Sequence, residues 1–183
     1  MVDDANRESG AASARDADVR VWLLLGHKPG DNAQIRHLAR VVGLSFEEKK
    51  IVVLPQWETG KPRIRPRLDH VDLARSDALA APWPDLVLTS GRRLACVALW
   101  LKRASGGRTR IVMVGMPRHR QADFDLIVAA SHYVIREAPN VVRHDLPLLD
   151  IDRALIDAAA KAWAPRFEDL PRPITALMIG GPT

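Results

Sequence analysis

Val19-Arg20-Val21-Trp22-Leu23-Leu24-Leu25, closed by Gly26 and followed by His27-Lys28-Pro29-Gly30-Asp31-Asn32, is the stretch on which the fold turns. The apolar run is too short for a helix in this context and reads as a strand buried on both faces. The turn-rich residues after it supply Asp31 or Asn32 as a cap for the next helix. In that helix Ile35, Leu38, Ala39 and Val42 fall at i, i+3, i+4 and i+7, one face, and Gly43 is a helix stop. Strand, glycine turn and helix in that order form the repeating unit of a parallel sheet covered by helices.

The same grammar recurs downstream. Strands are predicted at residues 50–54, 85–90, 110–114, 124–128 and 140–143, with Gly91 as the turn after the second of these. Residues 56–68 read as irregular. Helices are predicted at 70–81 (Val71, Leu73, Ala74, Leu79), at 92–104 (Leu94, Val97, Ala98, Leu101) and at 151–163. Pro171 and Pro173 mark a linker, and residues 174–179 read as one more strand running into Gly180-Gly181. The fold class is therefore α/β, a Rossmann-like parallel sheet with helices on both faces. The expected organisation is a disordered lead-in at 1–18, a Rossmann-like domain at 19–170, and a linker with the first strand of a second domain at 171–183.

Right-handed crossovers place all strand-to-helix turns at one edge of such a sheet, and ligands bind there. The turns after Leu25, Leu54, Thr89 and Val128 are thus the places to search.

Length and composition bound the answer. With 183 residues, 47% apolar and 27% charged, the chain is an ordinary globular sequence and not a collagen, a coiled coil or a wholly disordered polymer. The single cysteine, Cys96, excludes an internal disulfide and reads as a small core residue. No stretch reaches the roughly 20 apolar residues of a membrane span, and the polar N-terminus has no secretory apolar core, so the expected location is cytoplasmic. Residues 61–120 hold 13 Lys/Arg against 4 Asp/Glu, a net of +9 in a chain whose total is +5. That basic middle suits phosphate groups or an anionic surface. Its densest part is Lys61, Arg63, Arg65 and Arg67, which the interleaved prolines make a loop. No aromatic RNA-binding motif, zinc finger or helix-turn-helix accompanies it, which argues against nucleic acid.

Three turns carry candidate chemistry. The first holds Gly26, His27, Lys28, Gly30, Asp31 and Gln34. Its glycines allow close backbone approach, its helix N-terminus and Lys28 favour an anion, and His27 is the candidate general base. It lacks the Gly-Lys-Ser/Thr ending of a phosphate-binding Walker loop and the three glycines of a dinucleotide site. The second is Ser90-Gly91-Arg92-Arg93. Two arginines opening a helix oppose its dipole, so an anion or local acceptors must compensate. The third puts His132 just past a strand end, while Asp123 and Asp125, at that strand's start, read as turn or capping residues. The histidines show no metal-ligand spacing, and neither metal nor cofactor is implied.

Gly30-Asp31-Asn32-Ala33-Gln34, Pro82-Trp83-Pro84-Asp85, Ser90-Gly91-Arg92-Arg93 and Asp123-Phe124-Asp125 together resemble the "elongated mitochondria" (mitochondrial fission) family, from about Val19 to Gly181. That family looks like glycosyltransferases of the two-Rossmann-domain GT-B fold and continues into a second half after an Ile-Gly-Gly turn, matched here by Ile179-Gly180-Gly181. The resemblance implies the acceptor-side half of a transferase using a nucleotide sugar. Gly26, Gly30 and Asp31 would then shape the cleft wall, and Arg92 and Arg93 would face phosphate or an acidic sugar. The alternative is a non-catalytic module that binds a protein partner, or an anionic membrane through Lys61, Arg63, Arg65 and Arg67, placing the protein peripherally at the inner membrane.

Overall fold

The computed structural model describes residues 19–60, 62–117 and 120–179. The expected lead-in 1–18, Lys61 and the Gly180-Gly181 turn lie outside the described residues. The chain divides into two compact units, residues 1–149 and 150–183.

The first unit is built on β1 (Val21–Leu25), α1 (Pro29–Val41), β2 (Glu47–Lys50), the single turn α2 (Pro55–Glu58), β3 (Leu86–Ser90), α3 (Arg92–Ala104), β4 (Arg110–Val114), β5 (Leu126–Ala130) and β6 (Val141–His144). All six strands are parallel, in the order β2-β1-β3-β4-β5-β6. This is the α/β Rossmann-like sheet expected from the alternation. β1 is buried at every position, as its unbroken apolar run requires. Its alternate side chains serve two cores. Val21, Leu23 and Leu25 pack with Ile35 and Ala39 of α1, while Trp22 and Leu24 pack with the α3 residues. α3 buries seven residues, Leu94 to Leu99 and Leu101, and so anchors its side of the sheet.

Several expectations are corrected. Lys28 holds the N-cap position of α1 without a side-chain cap bond, Pro29 opens the helix, and Asp31 and Asn32 lie inside it. Pro at the first helical position loses no hydrogen bond there. Val42 lies beyond the helix and is 58% exposed. The second strand is Glu47–Lys50 rather than 50–54. Its charged side chains hid it, since an edge strand needs no alternating apolar face. Residues 70–81 form no helix. Val71 pairs antiparallel with Val53, and Asp72 N donates to the Val52 carbonyl at 2.9 Å. Asp77 Oδ2 accepts from Lys50 N at 2.6 Å and Ser76 Oγ accepts from Val52 N at 2.9 Å. These side chains satisfy main-chain groups along the free side of the β2 segment, and such local bonds outcompete a helix.

The second unit carries α4 (Arg153–Trp163), capped by the Asp152 carboxylate on Leu155 N, and a short 3-10 turn over Ala164–Phe167. Residues 174–179 enter no strand, and Leu177, Met178 and Ile179 are 84–95% exposed. No helix among the described residues is long and apolar enough to cross a membrane.

Candidate functional site

The strand order fixes where a crevice opens. From β1 the chain moves outward to β2, then returns to β3 on the other side of β1. The connections on either side of the β1–β3 pair therefore leave in opposite directions at the strands' carboxyl ends, the place where open parallel sheets bind ligands. Two of the three expected turns, after Leu25 and after Ser90, meet there.

The β1 turn is locked from within. Asn32 accepts from Gly26 N through Oδ1 at 3.0 Å and donates from Nδ2 to the Gly26 carbonyl at 2.8 Å. A Cβ on Gly26 would lie 3.1 Å from Leu94 Cδ1, so this glycine serves helix packing. Gly30 has open space around it within the first turn of α1. His27 and Lys28 are exposed, and Gln34 is half-buried.

Asp31 occupies the centre of the edge. A Cβ on Gly91 would sit 3.3 Å from Asp31 Oδ2, so the carboxylate reaches across from the β1 turn to the β3 turn. Gly91 has φ 76° and ψ 151°, a conformation essentially reserved for glycine. Among the described residues Asp31 has no ion pair and its side chain no hydrogen bond. Burial raises its pKa above the ordinary value, opposed by the weaker pull of Lys28 and then His27.

Tyr133 is the residue that sequence reasoning missed. Its hydroxyl lies 3.8 Å from the place of a Cβ on Gly115, which follows β4. Burial, and then the Asp31 charge, raise the phenol's pKa, so the two groups feel each other across the edge. A signal existed, because Leu25-Gly26, Ser90-Gly91 and Val114-Gly115 end three strands alike. His132, the expected residue of that loop, is exposed and its ring stands 4.1 Å from that of Tyr133.

The arginines after Gly91 have main-chain acceptors. Arg92 donates to the Gly60 carbonyl at 3.0 Å, and Arg93 donates to the carbonyls of Trp57 and Glu58. These bonds give the two cations at the start of α3 the acceptors that their position demands. Ser90 is buried at 7% exposure, and the Thr89 hydroxyl beside it is buried with no partner among the described residues. Asp125, expected as a turn or capping residue, instead joins α3 and β4 through ion pairs and a main-chain bond. Its Oδ2 accepts from Lys102 Nζ at 2.7 Å and from Ile111 N at 2.9 Å, and its Oδ1 from Arg110 at 2.8 Å. Cys96 is buried and burial pushes its thiol up. No group of metal-ligating side chains occurs among the described residues. What remains is a sheet edge with a half-buried carboxylate and a phenol beside glycine turns. Such a site can accept a hydrogen bond from a hydroxyl and take its proton.

The comparisons with known proteins fall on this same region. Residues 29–183 match the family model described as "Mitochondrial fission ELM1". The match takes in Asp31, Gly91 and Tyr133 and begins after His27 and Lys28. The mitochondrial fission protein ELM1 of Arabidopsis thaliana is 26% identical over 191 residues, covering 88% of this chain and 44% of that protein. The chain thus spans less than half the length of that curated relative. No solved structure matches.

Proposed function

The chain belongs to the mitochondrial fission ELM1 family, and on that footing we propose that it is the acceptor-side half of a GT-B-like transferase that uses a nucleotide sugar. The observation that carries the reading is the placement of Asp31, half-buried, at the β1–β3 edge against the Gly91 turn. In this role its carboxylate accepts the proton of an acceptor hydroxyl. The freed oxygen forms the new bond to the anomeric carbon of the donor sugar, and the nucleotide leaves with the bonding pair. Burial makes the carboxylate a better base than in water. This assigns the base role to Asp31 rather than to exposed His27. Tyr133 lines the same edge and can donate to a sugar oxygen.

In GT-B proteins the donor sits mainly on the other domain. The test is accordingly a thermal-shift titration against UDP-, GDP- and CMP-sugars, run on this chain and on a longer form carrying a second domain after Thr183. A ligand at 100 times its Kd adds about 2.7 kcal/mol of stability. A shift in the longer form supports the proposal. No shift in either form with any donor overturns it and leaves the family's role as a non-catalytic interaction module.

A further inference from the structure

The basic segment after α2 has an order that its prolines conceal. From Pro62 to Leu68, burial alternates. Arg63, Arg65 and Arg67 are exposed, whereas Pro62, Ile64 and Leu68 are half-buried and Pro66 is buried. Leu68 packs against the main core cluster. The segment is strapped along α3 by its own carbonyls. Arg93 bonds those of Trp57 and Glu58, Arg92 that of Gly60, the Cys96 thiol that of Ile64 at 3.5 Å, and Arg103 that of Pro66 at 3.5 Å. A further bond from Arg67 N to the Arg65 carbonyl, 2.8 Å, tightens the backbone around Pro66. The backbone is therefore fixed before anything binds, which lowers the entropy lost on binding.

The four basic residues of this strap outnumber the two exposed acids that flank it, Glu58 and Asp69. Residues 59–68 contain no acidic side chain, and neither does α3 beneath them. Among the described residues Arg63, Arg65 and Arg67 take part in no ion pair. Three exposed guanidiniums on a preorganised backbone suit an anionic counterpart. Single-stranded nucleic acid binders combine such charge with aromatic platforms on which bases stack. Residues 59–68 contain no aromatic, and Trp57 is half-buried and set edge-on against His70. That leaves an extended anionic surface, read by charge alone.

We infer that the Arg63, Arg65 and Arg67 strap is a docking surface for an anionic membrane leaflet, bound through lipid headgroup phosphates and carboxylates. This surface is separate from the Asp31 crevice and does not depend on the reading given for it. Each basic side chain near such a surface is worth about 1 kcal/mol, a factor of about five, so three together give about a hundred-fold in partition.

The experiment is vesicle flotation of the protein with phosphatidylcholine alone and with about 30% phosphatidylserine added. Wild type should float with the anionic vesicles only. Arg63→Gln/Arg65→Gln/Arg67→Gln should lower that partition by about a hundred-fold. Arg40→Gln/Arg136→Gln/Arg153→Gln, which removes the same charge from exposed positions elsewhere, should lower it by less than ten-fold. Binding of wild type should also collapse between about 0.05 and 0.5 M salt, a readout that needs no variant to fold. Equal flotation with neutral vesicles, equal losses in the two triple variants, or salt-insensitive binding would overturn the inference. So would tighter binding of a single-stranded oligonucleotide or of polyglutamate than of the anionic vesicles.

Discussion

Gly91 and Gly30 both sit in turns that the sequence marks as ligand-facing, and the structure predicts opposite outcomes when each becomes alanine. At Gly91 the backbone holds φ 76° and ψ 151°. A residue with a Cβ there is strained by about 1–3 kcal/mol. The added methyl would also stand 3.3 Å from Asp31 Oδ2, close enough that the carboxylate must give way. Together these give a loss of about 2–3 kcal/mol, or roughly 5–10 °C in Tm for a chain of this size. At Gly30 nothing lies within 4 Å, and the residue is helical. Alanine there gains about 0.5–1 kcal/mol from the lower entropy of the unfolded chain and its helix preference. Urea unfolding followed by tryptophan fluorescence measures both, because Trp22 is buried in the same sheet. The contact with Asp31 is separable from the backbone strain. In an Asp31→Ala background, Gly91→Ala should lose less than it does in wild type. Changes of the same sign at the two glycines, or a Gly91→Ala loss unaltered by Asp31→Ala, would refute the reasoning.

Three further outcomes follow from named contacts. Because burial raises the Asp31 pKa above 3.8, the folded state penalises its charged form, and that penalty is complete above the folded pKa. Asp31→Asn should therefore be more stable than wild type at pH 7, with the gap closing in thermal melts as pH falls through the folded value toward 3.8. Asp125 behaves in the opposite way. Burial alone would raise its pKa, but bonds from Lys102, Arg110 and Ile111 N outweigh it and hold it below 3.8. Its stabilisation is present in full above 3.8 and is lost as pH falls through the folded value, so Asp125→Asn should lose about 1–2 kcal/mol at pH 7 and less in acid, read from urea midpoints. Asn32→Ala removes both side-chain bonds to Gly26, and a loss of about 1–2 kcal/mol in the same assay is expected.

Much of this architecture was readable because burial writes itself into apolar runs. β1, β3 and β4 are central strands of near-continuous hydrophobicity, and α3 shows a clear apolar face between a glycine turn and a Ser-Gly-Gly break. β2 was displaced because Glu47-Glu48-Lys49-Lys50 carries no apolar side chain and sits at the sheet's edge. The supposed helix at 70–81 had helical spacing, yet Val71 is 5% exposed and Leu73 is 61% exposed. The burial of Val71 follows its pairing with Val53 and not a helix face. At the site, the sequence placed Asp31 and Gly91 at the same sheet edge but could not show that they meet. It favoured His27 and His132 for their chemistry, whereas the crevice presents Asp31 and Tyr133. Arg92 and Arg93 were legible as cations needing acceptors. That those acceptors include the carbonyls of residues 57–60 depends on a strap whose path along α3 no local pattern encodes.

The central claim is that the β1–β3 crevice works through Asp31 on a nucleotide-sugar reaction. Its most direct test is nucleotide release from UDP-, GDP- and CMP-sugars by the two-domain form, comparing wild type with Asp31→Asn. General base catalysis is worth about 10²–10⁴-fold, so the account predicts release by wild type and at least a hundred-fold loss in the folded variant. Release that is equal in wild type and Asp31→Asn, or absent from both with every donor, would contradict it.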